Sequence, residues 1–255
     1  ISGDPLQKIT LMQLFGSIIC FPVLFFIPAP SGIVWFYILS SVVLHTFYYI
    51  LLGLAYRKGS LSLIYPVARG LSPLIIFLLT SLFITEKISF IGGVGVIFIV
   101  IGILLNSYKD LRNRFHKQSI VIALLVSIFI AFYSIVDGIG VRLSKNAMTY
   151  ILWLFALEGW GIFFLNYIKY GSFWKKFSKK DTLSTGLAAI FSAVAYGIVI
   201  WAMSHITITY VSALRETSII MASLIGIYIL KDKNKIYHIL ASITVFVGIL
   251  LIYQN

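Results

Sequence analysis

The chain has 255 residues, of which 60% are hydrophobic and only 11% are charged, and its mean hydropathy is +1.01. A soluble domain carries about 25% charged residues, so this composition excludes an ordinary water-soluble fold. The net charge of +12 lies mostly in short segments between apolar runs, which indicates membrane topology and argues against nucleic-acid binding.

Apolar runs long enough to cross a bilayer follow one another along the chain, since a helix needs roughly 20 residues for a hydrocarbon core of about 30 Å. In chain order the predicted spans are residues 10–28, 33–56, 61–84, 88–106, 119–143, 148–168, 182–204, 208–230 and 236–253. Longer polar linkers occupy residues 109–117 and 175–180. We therefore predict an all-α, polytopic membrane protein with nine transmembrane helices.

The loops between these spans carry unequal basic charge. Of the twenty Lys and Arg residues, three lie on one side of the predicted bilayer (Lys87, Arg142 and Lys145), fifteen lie on the other, and Arg69 and Arg215 lie within spans. Cytoplasmic loops hold the excess of Lys and Arg. The side with fifteen is therefore predicted to be cytoplasmic, which places the C-terminus outside.

An internal repeat appears when the chain is shifted by 146 residues, because residues 55–106 then align with 201–252 without a gap. Arg69 meets Arg215, and an identical Gly-Ile-Leu-Leu sequence lies near the end of both copies. The matching spans cross in opposite directions, so the copies are inverted, as in many secondary transporters.

The span count is uneven between the two copies. We predict a first repeat over residues 1–113 with four helices and a second, inverted repeat over residues 114–255 with five. A matching fifth helix in the first repeat would precede residue 1. The expected whole is a ten-helix protein, of which four plus five helices are visible here.

Three short motifs carry a family resemblance: Leu63–Leu74 (LIYPVARGLSPL), Glu86 followed by Gly92, and Val136–Arg142 (VDGIGVR). Together they resemble EamA-type proteins of the drug/metabolite transporter superfamily, over essentially the whole chain. The resemblance implies a ten-helix inverted repeat with a central cavity that moves amino acids, their derivatives or drugs. By this resemblance, we expect the sequence to begin after the family's first helix, and the basic charges predict an orientation that differs from the one usual in the family.

Charged side chains within spans are candidates for a site, because each costs about 2.5–3.5 kcal/mol at the bilayer centre. Arg69 could bind a carboxylate or phosphate of the cargo, or pair with a protein acid. Asp137 could bind a cation or amine, take up a proton, or pair with Arg142 or Arg215. Arg215 and its neighbour Glu216 point about 100° apart on a helix, so each needs a partner elsewhere.

Further polar and aromatic side chains complete the candidate site. Glu158 could face a cavity or be a packed acid, and His45 and Tyr196 could line the cavity or only pack. The predicted substrate-binding residues are Arg69, Asp137, Arg215, Glu216, Tyr65, Tyr133, Tyr196, Trp201, His45 and Glu158.

Catalytic motifs are missing from the sequence: there is no nucleophile elbow, no Gly-Lys phosphate loop and no zinc-binding spacing of His and Cys. We therefore predict no enzyme activity, cofactor or metal. The predicted function is a secondary transporter or exporter of a small metabolite or drug, acting by alternating access around a central cavity between the repeats. The alternatives are a membrane enzyme acting on a lipid or headgroup and a non-transporting membrane subunit.

The predicted function implies binding partners, an oligomeric state and a cellular location. We expect a small-molecule substrate, the lipid bilayer, and protons or ions as candidate coupling species, with no nucleic acid. The chain is expected to act as a monomer or homodimer in a cell membrane, which in a bacterium is the inner membrane.

Overall fold

The computed structural model describes residues 4–58, 61–84, 86–106, 108, 117–218, 220–221 and 235–254, without the side chains of residues 58, 61–66, 117, 119, 176 and 235. Within these ranges the regular structure is helical. The helices are α1 (Pro5–Cys20), α2 (Val34–Lys58), α3 (Leu61–Leu79), α4 (Phe90–Asn106), α5 (Lys117–Leu143), α6 (Ala147–Tyr170), α7 (Lys179–Met203), α8 (Ile208–Leu214) and α9 (Lys235–Tyr253).

Polar residues of the loops cap the starts of several helices. Asp4 caps α1, with a proline next to it at the first helical position, so this helix begins five residues before the predicted span. Asn146 caps α6, and Ser178 and Asp181 form a capping box at the start of α7. Gly171, with φ of +62°, ends α6 in a conformation that favours glycine.

Seven segments in the described part of the chain are long and apolar enough to cross a membrane. They are Pro5–Phe26, Val34–Arg57, Val67–Ile84, Ile120–Leu143, Ala147–Tyr170, Lys179–Met203 and Ile236–Tyr253. The predicted span 88–106 corresponds to the shorter apolar helix α4. The predicted span 208–230 begins as α8, and its residues 222–230 lie outside the described residues. The prediction of an all-α, polytopic protein is confirmed.

The chain forms two compact units, and each contains segments of both predicted repeats. Unit 1 comprises Ile1–Arg57 and Ile135–His205, and unit 2 comprises Lys58–Ser134 and Ile206–Asn255. The boundary at residues 113 and 114 concerns sequence symmetry, so the repeat division stays a prediction.

Unit 1 is built around the contact between α1 and α6. The hydroxyl of Ser17 donates to the Phe155 carbonyl at 2.7 Å and accepts the Gly159 N–H at 2.9 Å. A Cβ at Gly159 would lie 2.4 Å from the Gln13 carbonyl oxygen, so a larger residue would not fit there. Small residues and interhelical hydrogen bonds are typical of helix packing in membranes.

Unit 2 is held by the pair α4 and α9. A Cβ at Gly95 would lie 2.7 Å from the carbonyl oxygen of Gly248, and one at Gly248 would lie 2.6 Å from that of Gly95. In the same unit, the Glu86 carboxylate accepts the N–H groups of Ile208 at 2.8 Å and Thr209 at 3.3 Å. Glu86 therefore caps α8 by satisfying N–H groups that a helix start leaves unpaired.

Candidate substrate-binding sites

Asp137 of α5 is completely buried in unit 1 and lies among hydroxyl groups. Its Oδ1 accepts from the Tyr150 hydroxyl of α6 at 2.9 Å, and its Oδ2 accepts from the Tyr196 hydroxyl of α7 at 2.6 Å. Ser41 of α2 is a further hydrogen-bond partner. We call Asp137, Tyr150, Tyr196, Ser41 and the neighbouring His45 the Asp137 cluster.

His45 connects α2 to this cluster. Its Nδ1 lies 3.1 Å from the Ser41 hydroxyl, and its ring centroid lies 5.6 Å from that of Tyr196. The ring of Tyr150 can reach α5 because Gly140 leaves space, since a Cβ there would lie 2.4 Å from that ring. The Asp137 cluster therefore joins a helix from the first half of the sequence to three from the second half.

The possible structural pairing of Asp137 with Arg142 is not what the structure shows. Arg142 donates from Nε to the Met203 carbonyl oxygen at 2.8 Å, at the end of α7. Hydroxyl donors surround the Asp137 carboxyl instead. Such hydrogen bonds satisfy a buried carboxyl without pairing it with a guanidinium group.

Glu158 of α6 is the second buried acid of unit 1, at 7% exposure. Its Oε2 has no hydrogen-bond partner among the described residues. The Glu158 carboxyl interacts electrostatically with Asp137. Two of the predicted acids therefore lie in unit 1, where two ionised carboxylates would repel each other.

An apolar cavity of about 390 Å³ lies between α1, α6 and α7 in unit 1. Its wall includes Cys20 of α1, Ile151 and Phe155 of α6, and Gly197 and Trp201 of α7. Trp201, which we predicted to bind substrate, is half exposed at 51% and belongs to this wall. Phe155 also packs against Tyr196, with ring centroids 6.2 Å apart.

A second polar cluster lies in unit 2, where Arg69 of α3 meets Glu216. Nη2 and Nε of Arg69 lie 2.9 Å and 3.2 Å from Oε1 of Glu216, which is completely buried. Nε of Arg215 lies 3.5 Å from the same oxygen. The helix tightens to a 3-10 turn at Arg215–Thr217, which contains both Arg215 and Glu216.

The acid that we considered as a partner for Arg69 is therefore Glu216, 147 residues away in the chain. Arg215 and Glu216 are close enough for charge attraction, but Nε of Arg215 makes no hydrogen bond within the described residues. This agrees with the poor angle expected for adjacent residues on a helix. A role of Arg69 in holding cargo stays a prediction.

Comparison with known proteins gives one family. The sequence profile of the EamA-like transporter family matches residues 2–108 and 117–254. This chain belongs to that family. A search of curated proteins finds no match. The resemblance identified from the three motifs is thereby confirmed, and the chain is a multi-pass membrane protein of a transporter family.

The remaining candidates occupy different places in this EamA-family chain. Tyr133 is buried on α5, and the side chain of Tyr65 lies outside the described residues. Sequence reasoning missed Tyr150 and Ser41, both of which contact Asp137. Ser41 lies one helical turn before His45, and that spacing was the available signal for it. Tyr150 lies near a span end, where an interfacial tyrosine is the ordinary expectation.

Proposed function

We propose that this EamA-family chain is a secondary transporter that carries a small organic solute, with Asp137 at a substrate-binding or proton-coupling site. The observation that carries this proposal is the completely buried Asp137 carboxyl, held by hydroxyls from three other helices. An acid in a transmembrane helix is expensive and is generally functional.

The hydroxyl partners would let Asp137 exchange one of its hydrogen bonds for a bound cation or proton. A carboxylate has about four lone-pair sites, and a hydroxyl can rotate to another acceptor when a cation or proton arrives. An ammonium group, a metal cation or a proton could therefore replace one tyrosine bond without leaving a second buried charge unpaired. Displacing an arginine partner would instead leave a buried guanidinium group without its carboxylate.

Alternating access is the proposed mechanism. The Asp137 cluster contains α2 from the first half of the sequence and α5, α6 and α7 from the second. Movement of one repeat against the other around a central cavity would change these hydrogen bonds, so binding and movement would be coupled. The proposed location is a cell membrane, and in a bacterium the inner membrane, with a proton or ion gradient as the energy source.

The Arg69–Glu216 pair supports a second contact with cargo. The guanidinium groups of Arg69 and Arg215 both lie within 4 Å of one carboxylate oxygen of Glu216, so two cationic side chains share that oxygen. Guanidinium groups bind carboxylate and phosphate in a bidentate geometry. We propose that an acidic group of the solute competes with Glu216 for Arg69.

Uptake of radiolabelled amino acids, amines, sugars and organophosphonates into proteoliposomes tests the proposal. Asp137→Asn keeps the shape of the side chain and removes its charge, so we expect uptake to fall at least about tenfold, equivalent to about 1.4 kcal/mol. Asp181→Asn is the matched control, because Asp181 is an acid of the same unit that lies in an exposed capping box. Equal uptake by both variants would remove Asp137 from the site.

A further inference from the structure

The connection between α6 and α7 carries a dense positive charge. Residues 169–180 contain five lysines and no acid, and Lys175, Lys179 and Lys180 are exposed. The connection joins Ala147–Tyr170 to Lys179–Met203, two segments that are long and apolar enough to cross a membrane. The lysines therefore lie at the ends of two spans, at the level where lipid headgroups begin.

These lysines lack a counter-ion within the protein. In the part of the chain that the structure describes, no ion pair includes Lys175, Lys179 or Lys180. Asp181 follows them directly, but its carboxylate is engaged in the capping box, where Oδ2 accepts from the Ser178 hydroxyl at 2.7 Å and from the Ser178 N–H at 3.4 Å. The positive charge can therefore attract an anion from outside the protein.

Three aromatic rings stack beside the same connection. The ring centroid of Trp174 lies 5.7 Å from that of Tyr167 and 5.7 Å from that of Phe163. Phe173 is completely buried and packs against Phe163, with ring centroids 6.2 Å apart, which fixes the 3-10 turn Phe173–Lys176 against α6. Tyr167 and Trp174 are 47% and 37% exposed. The stack therefore presents an aromatic surface outward, and Lys175 follows it directly in the chain.

We propose that the exposed faces of Tyr167 and Trp174, together with Lys175, Lys179 and Lys180, bind an anionic phospholipid. The lysine ammonium groups pair with the phosphate, and the first part of an acyl chain lies against the rings, because Tyr and Trp suit the boundary between headgroups and hydrocarbon. Clustered basic residues next to a transmembrane helix attract the anionic lipids of the cytoplasmic leaflet, the side on which the charge count predicts this connection. The site takes a lipid and not the transported solute, so it goes beyond the proposed function.

Tryptophan quenching by brominated lipids tests this site. A variant that keeps Trp174 and has phenylalanine at the other four tryptophans is placed in bilayers of phosphatidylcholine and phosphatidylglycerol, with bromine on the chains of only one lipid. Each lysine near an anionic surface strengthens attraction about fivefold, so we expect Trp174 to prefer phosphatidylglycerol by at least about tenfold. Lys175→Gln/Lys179→Gln should lose most of this preference. Lys87→Gln/Lys145→Gln, which changes two exposed lysines predicted on the opposite side, should retain it.

Equal quenching of Trp174 by the two lipids would overturn the proposal, as would an unchanged preference in Lys175→Gln/Lys179→Gln.

A second measurement keeps all five tryptophans and does not depend on the folding of the single-tryptophan variant. The full chain in detergent is melted with added phosphatidylglycerol, phosphatidylcholine or sn-glycerol 3-phosphate. We expect only phosphatidylglycerol to raise the melting temperature, because a ligand that binds the folded state stabilises it. High salt and the Lys175→Gln/Lys179→Gln variant should each reduce this rise. An equal rise with phosphatidylcholine or with glycerol phosphate would contradict an anionic-lipid site.

Discussion

At Glu216, one carboxylate oxygen receives two guanidinium groups inside unit 2. The Arg69 and Arg215 side chains are 20% and 15% exposed, and the Glu216 side chain is 1% exposed, so the charges are largely removed from water. Breaking a buried pair by removing one partner typically costs about 3–5 kcal/mol, whereas replacing both partners is often nearly neutral. Substitutions of Arg69 and Glu216 should therefore have coupled effects on the free energy of unfolding.

A double-mutant cycle measures that coupling. We expect Glu216→Gln to lower the free energy of unfolding by about 3–5 kcal/mol, because it leaves two guanidinium groups facing each other. The double variant Arg69→Gln/Glu216→Gln should recover about 0.5–3 kcal/mol relative to the sum of the single changes. Denaturant unfolding in mixed micelles gives these values. Additive losses, together with lost uptake in Arg69→Gln, would favour cargo binding as the sole role of Arg69.

The close contact of α4 and α9 depends on glycine at its centre. Gly95 and Gly248 place each backbone within reach of the other, and Gly102 lies against the Ala241 carbonyl in the same way. The missing side chains let the helices approach, which raises van der Waals contact where lipid provides no hydrophobic driving force. The glycines near the end of each predicted repeat therefore allow close helix packing.

Gly95→Ala should weaken this contact. The added Cβ would lie 2.7 Å from the Gly248 carbonyl oxygen, so α4 and α9 must separate, at a cost of about 1–3 kcal/mol. Gly186→Ala on α7 is the control, since nothing lies within 4 Å of its Cβ. Alanine favours a helix over glycine by about 1 kcal/mol, so that variant should melt higher. A melting temperature of Gly95→Ala at or above that of the unaltered chain would contradict the packing argument.

Basic charge predicts how the whole molecule sits in the bilayer. In the predicted topology fifteen Lys and Arg residues lie on one side and three on the other, and such an asymmetry sets orientation during insertion. Lys175, in the linker before α7, and Gln254, after α9, are exposed and are expected on opposite sides.

Cysteine labelling in intact cells checks this orientation. In a Cys20→Ala background, we expect Gln254→Cys to react with a membrane-impermeant maleimide from outside. Lys175→Cys should react only after permeabilisation, because its loop carries cytoplasmic charge. The reverse pattern would show that the charge count is not what orients this chain.

Hydropathy and charge spacing predicted much of this protein. The helical, multi-pass class predicted from hydropathy was confirmed, as was the EamA family, which the resemblance of three motifs had indicated. The acids and arginines of interest were recognised because lipid makes charged side chains expensive. These signals are local, since each depends on residues within one span. The boundary of α1 was less accurate, because Asp4 and Pro5 extend the helix beyond its apolar run.

The hydrogen-bond partners of the charged residues were decided by contacts between distant parts of the chain. Arg69 pairs with a residue 147 positions away, and Asp137 accepts from Tyr196, which lies 59 positions away. Composition carries no information about such distances. It therefore left a cargo group and a protein acid as equal candidates for the partner of Arg69. The unsatisfied Oε2 of Glu158 and the apolar cavity likewise depend on helix packing, because an unsatisfied acceptor and a void are properties of the space between helices.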